Sequence, residues 1–94
     1  MILMLTLEVF VETKTLFSIF LPATIKSYEM WIPNELSVYE ATQLVCKILA
    51  EEESRYFLPD KSTALYEKAT GDELDINSRI GDLGYVNGTQ LVLL

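Results

Sequence analysis

The stretch from Ser37 to Ala50 constrains this chain most, because it is the one clear amphipathic helix in an otherwise strand-rich sequence. Val38, Ala41, Leu44, Val45, Ile48 and Leu49 recur at the spacing of one wide helical face, with Tyr39, Glu40, Gln43, Lys47 and Glu51 opposite. Its start is marked twice. Ser37 can cap the free amides of the first turn, and Glu40 can reach back to the Ser37 amide. Leu36 precedes the cap and can pack on the first turn, while Pro33 ends whatever strand comes before. A helix of about four turns cannot bury its own stripe, so it needs a sheet to lie against.

Strands are readable on both sides of it. Leu3, Leu5, Leu7, Val9 and Val11 alternate with Met4, Thr6, Glu8, Phe10 and Glu12, the pattern of a half-buried strand. Thr15 to Leu21 is apolar, with β-branched and aromatic residues, and stops at Pro22. Lys26 to Ile32 alternates again, with Tyr28, Met30 and Ile32 on one face and Ser27, Glu29 and Trp31 on the other. Beyond the helix, Glu51–Glu53 is solvated and sits at the negative end of the helix dipole. Arg55 to Ser62 reads as a loop, Thr63 to Lys68 as a short strand, Thr70–Asp72 as a turn and Glu73 to Ile76 as a brief return strand. Ser78 to Leu83 reads as one helical turn, Asn87-Gly88 as a tight turn, and Thr89 to Leu94 as a strand suited to a central place.

Composition narrows what such a fold can do. The 94 residues make one domain, residues 1–94, with a single small core. A net charge of −7, with basic residues scattered along the chain, argues against nucleic acid as a partner. There is no histidine, which removes the usual general base and the commonest metal ligand. Cys46 is the sole cysteine, so no intrachain disulfide or thiolate cluster can form, and a reduced, cytoplasmic setting is the simplest reading. Cys46 itself reads as a packed small side chain. Glu51–Glu53 and Asp72, Glu73 and Asp75 lack the spacing of a cation loop. Gly81, Gly84 and Gly88 lack the strand–glycine–helix order of a phosphate loop. Catalytic residues, cofactors and metals are expected to be absent. The N-terminus lacks a basic leader and no segment is apolar for long enough to span a bilayer, so neither a signal peptide nor a membrane span is expected.

Two strands, a capped helix, two short strands, a helical turn and a closing strand follow the order of the ubiquitin-like β-grasp fold. Leu65 to Leu94 resembles the second half of ubiquitin, through Leu74, Ile80, Asp82 and the final apolar strand. Leu58-Pro59-Asp60 resembles the proline-containing loop after its helix, and Trp31-Ile32-Pro33 with Leu36-Ser37-Val38 resembles the entry into that helix. Within the superfamily the chain is most similar to the YukD/EsaB group and to the cytoplasmic domain of EccD, both of type VII (ESX) secretion. The resemblance covers Lys26 to Leu94. It implies an α+β fold, a mixed sheet of four to five strands on one helix at 37–50. It further implies a non-enzymatic, cytoplasmic bacterial adaptor that docks a protein partner, a cytoplasmic component of a secretion system. A self-associating module, a homodimer through its apolar strands, is the alternative.

Two departures from the family matter. The chain stops at Leu93-Leu94, where conjugating and sulfur-carrying relatives have a Gly-Gly tail, so no such chemistry is expected and Leu94 should be ordered and partly buried. About a dozen residues also separate Val11 from Lys26, where the family has a short hairpin turn. Two registers follow. In the preferred one Leu3 to Val11 is the first strand and 15–25 is an extra apolar segment. In the other, Thr15 to Leu21 is the first strand and residues 1–12 add another. Ubiquitin-like proteins commonly bind through the exposed sheet face. On that ground Phe10, Trp31 and Tyr66, with Phe17 and Phe20 of the 15–25 segment, are the candidate partner-binding residues. The bland alternative is that they complete a core.

Overall fold

A computed structural model describes residues 13–94 of the chain. Four strands form one mixed sheet: β1 (Lys14–Leu21), β2 (Lys26–Pro33), β3 (Leu65–Glu67) and β4 (Thr89–Leu93), in the order β2-β1-β4-β3. β1 and β2 are an antiparallel hairpin in which Thr15 faces Ile32 and Leu21 faces Lys26. β4 runs parallel to β1, with Phe17 opposite Thr89 and Phe20 opposite Val92. A parallel pair needs a long crossover, and the chain between the hairpin and β4 supplies it with the helix α1 (Val38–Glu52). β4 lies between β1 and β3, the central place that its almost wholly apolar sequence predicts.

The start of α1 forms as its sequence requires. The Ser37 hydroxyl accepts from the Glu40 amide at 3.1 Å, and the Ser37 amide donates to Glu40 Oε1 at 3.1 Å. Leu36 packs partly buried against the core. Backbone bonds then join the strand exit to the 3-10 turn Ile80–Leu83: the Ile80 amide donates to Leu36 O and the Gly81 amide to Asn34 O. Asn34 Oδ1 also accepts from the buried Thr15 hydroxyl at 2.6 Å, satisfying a polar group on the core side of β1.

The core-facing residues of β1 are Thr15, Phe17, Ile19 and Leu21, each under a tenth exposed. Ile32, Leu65, Leu91 and Leu93 join them from the other strands, and Val38, Ala41, Val45, Cys46 and Leu49 from α1. This settles the register of the first strand. The preferred segment, Leu3 to Val11, lies outside the described residues, and Lys14–Leu21 fills the first-strand place. Residues 15–25 are therefore no excursion added to the sheet but its first strand and the turn that follows. The physical reason lies at the other end of the sheet. The Leu16 amide donates to Asn87 Oδ1 at 2.9 Å and the Gly88 amide donates to Leu16 O, so the turn before β4 is keyed to Leu16.

Smaller differences have local causes. The helix buries Thr42 and Cys46, whereas Leu44 and Ile48 are 37% and 38% exposed, so its inward face is rotated from the one the apolar pattern predicts. Thr42 tolerates this because its hydroxyl donates to Val38 O at 2.8 Å. The expected return strand Glu73 to Ile76 reduces to a single bridge between Tyr66 and Glu73. Leu94 exchanges backbone bonds with Ala64, yet its side chain is 59% exposed rather than partly buried.

Candidate interaction surface

Strand alternation divides the sheet into a face covered by α1 and a face turned away from it. On the outer face the pairing aligns Phe20 of β1, Val92 of β4 and Tyr66 of β3 in one row across three strands. All three are half-buried. A second apolar pair stands toward the other end of β1, where Leu16 faces Trp31 and Trp31 is 51% exposed. Ser18, opposite Glu29 and Gln90, separates the two groups with polar side chains. The Lys68 ammonium lies over the Phe20 ring at 5.4 Å from its centre, a cation–π contact that gives this apolar row a positive rim.

Of the residues singled out from sequence, Phe20, Trp31 and Tyr66 share this face. Phe17 does not: it is fully buried, and its ring meets Tyr85 edge-on at 5.9 Å. Parity decides the matter, because neighbours in a strand point to opposite sides and Phe17 falls with Ile19 and Leu21. Phe10 lies outside the described residues. Val92 and Leu16 belong to the outer face but were not legible as such. Both sit in runs apolar on both sides, and only the pairing register shows which way they point.

A separate polar cluster joins the β1–β2 turn to the C-terminal end of α1. The Tyr28 hydroxyl donates to Glu53 Oε1 at 2.6 Å, the Thr24 and Tyr28 hydroxyls are 3.1 Å apart, and Lys26 Nζ lies 3.6 Å from the same Glu53 oxygen. The Tyr28 hydrogen bond holds the Glu53 carboxyl below the ordinary carboxylate range, with Lys26 acting in the same direction. Burial, and then the hydrogen bond to Glu53, push Tyr28 up. The sign for Glu53 follows from linkage. A carboxyl with a depressed folded pKa contributes stability that is complete above the unfolded value of about 4.3 and is lost as pH falls through the folded value. We expect Glu53→Gln to lose less stability than the parent chain between pH 7 and pH 3, as urea midpoints at the two pH values would show. An equal loss in both chains would remove Glu53 from the acid response.

Burial pushes the Cys46 thiol up, away from the thiolate that nucleophilic chemistry needs. Among the described residues no three His, Cys, Asp or Glu side chains are grouped to hold a metal ion. Nor, among them, is any helix long and apolar enough to cross a membrane.

No protein-family model matches the chain. No curated protein matches it either. Solved structures do. The ubiquitin-like domain of the Mycobacterium tuberculosis type VII secretion system protein ECCD1 superposes with a TM-score of 0.68 at 14% identity, over 86% of this chain and 97% of that one. A chain of the MycP5-free ESX-5 inner membrane complex gives 0.71 at 12% identity, over 87% of this chain but only 21% of that longer one. A ubiquitin-like domain from Arabidopsis thaliana gives 0.63 at 18% identity, over 86% of this chain and 76% of that one. The four-stranded mixed sheet on one helix is a ubiquitin-like β-grasp fold. At these identities the likeness defines the fold and leaves activity to the residues on it.

Proposed function

We propose that the chain is a non-enzymatic ubiquitin-like adaptor, an accessory or regulatory component of bacterial type VII secretion akin to the YukD/EsaB group. It acts in the cytoplasm by docking a protein partner. The observation that carries the docking mode is the outer sheet face, where Phe20, Val92 and Tyr66 form a row and Trp31 is half exposed beside Leu16. Aromatic side chains on a pre-formed rigid surface are what protein interfaces use as anchors, because they bury much area for little lost rotamer freedom. The likeness to the ECCD1 domain and to a chain of the ESX-5 complex supports secretion as the setting.

The test is binding of the full chain to purified cytoplasmic domains of a type VII secretion membrane complex. Trp31→Ala combined with Tyr66→Ser should weaken binding by at least about tenfold, each anchor being worth over about 1 kcal/mol. The circular dichroism spectrum and sheet amide shifts should be preserved. A folded double variant that binds as well as the parent would exclude the outer face as the docking surface. Failure of the parent chain to bind any of these domains would remove the secretion assignment.

A further inference from the structure

We propose that the β1–β2 turn is a strained two-state latch, held closed by the Glu53 carboxylate and released when that carboxylate is taken away. The strained element is Ile25. Its φ is +55°, and among the described residues it is the only one other than glycine with positive φ. The left-handed region suits Gly, Asn and Asp, while a β-branched side chain crowds its own backbone there. Ile25 gains no compensating burial, since its side chain is 82% exposed. Backbone strain of this kind persists only where the surroundings over-determine it.

The surroundings here do so. Residues 22–25 connect β1 to β2, and the amides of both Thr24 and Ile25 donate to Leu21 O at 3.2 and 3.0 Å. The Thr24 hydroxyl also reaches Leu21 O, at 3.3 Å, and touches the Tyr28 hydroxyl. Lys26 and Tyr28 both end on Glu53 Oε1. The residues on either side of Ile25 are thus tied, directly or through Tyr28, to one oxygen at the end of α1. A small open cleft of about 260 Å³, lined by Ala23, Thr24, Lys26, Glu53 and Tyr56, lies between the turn and the helix end.

Closing the latch sets two hydrogen bonds and a weak ion pair against the left-handed conformation at Ile25. Opening it lets Ile25 return to negative φ and swings the tip of the hairpin, while Ile19, Leu21 and Leu49 stay in the core. Protonating Glu53, or a partner's cationic side chain competing for its carboxylate, would each open it. The titratable groups around Glu53 are Lys26 and Tyr28 from β2, with Glu51, Glu52, Arg55 and Tyr56 on its own segment. The depressed pKa of Glu53 agrees with a carboxylate engaged in the closed state.

Amide hydrogen exchange on the full chain tests this directly. Glu53→Ala and Tyr28→Phe should each lower the protection of the Thr24 and Ile25 amides roughly three- to tenfold, the worth of one hydrogen bond. Amides of β4 and the middle of α1 should be unchanged. Adding Ile25→Asn to either variant should restore protection, because Asn tolerates positive φ and so relieves the strain that drives opening. Unchanged protection at Thr24 and Ile25, a uniform fall across the sheet, or failure of Ile25→Asn to restore the closed turn would each overturn the proposal.

Discussion

Phe17→Ala should cost about 3–5 kcal/mol of folding stability, whereas Phe20→Ala, three residues along the same strand, should cost far less. Phe17 is fully buried in the inner row of β1, between a parallel neighbour in β4 and an antiparallel one in β2. Truncation would remove most of a large apolar side chain from a close-packed site and leave a cavity that the paired strands cannot close. It would also lose the edge-on contact with the Tyr85 ring, a kind of contact worth about 0.5–1.5 kcal/mol beyond its area. Small domains hold only about 5–15 kcal/mol in total, so the variant should be partly unfolded near body temperature. Phe20 keeps one side in solvent and gains mainly from Val92 and Lys68. Chemical denaturation of the two variants decides the register of the first strand. Equal losses would mean that Phe17 does not face the core.

That register is where the sequence ceased to be sufficient. The capped helix, the tight turn at Asn87-Gly88 and the central place of β4 were legible because caps, turns and apolar periods are local properties of the chain. Ser37 and Glu40 carry their hydrogen-bond partners within four residues. The choice between Leu3–Val11 and Thr15–Leu21 was not local, since both alternate like strands. What separates them is the bond from the Leu16 amide to Asn87, a residue 71 positions away. The interaction face shows the same division. Trp31 is readable as outward from parity within its own strand, but Tyr66 and Val92 are placed beside Phe20 only by the pairing of their strands. Phe17 faces inward because the segment carrying it is the first strand of the sheet and not an addition to it. Ile25 gave no signal in composition or period, because left-handed backbone in an isoleucine is imposed by the closed turn around it.

Leu49→Ala should cost about 2–5 kcal/mol, and Ile48→Ala less than about 1.5 kcal/mol, although the two are neighbours in one apolar run. A pattern that counts only apolar residues includes Leu44 and Ile48 in the buried face of α1. The contacts place Thr42 and Cys46 there instead, with Leu44 and Ile48 at the margin. Two side chains allow this rotation. Thr42 returns its hydroxyl to Val38 O, so it enters the core without an unpaired polar atom, and Cys46 packs as a small hydrophobe. Leu49 is fully buried one turn before the Glu53 cap, in the core cluster against which Tyr28 and Met30 also pack. Its loss would open a cavity at the end of the helix that the β1–β2 hairpin leans on. Ile48 is 38% exposed and has already kept much of its surface in water, so its truncation forfeits little burial. Urea denaturation of the two variants measures the difference directly. If Ile48→Ala proved the costlier of the pair, the helix would have to sit on the sheet in the orientation that the apolar pattern alone predicts.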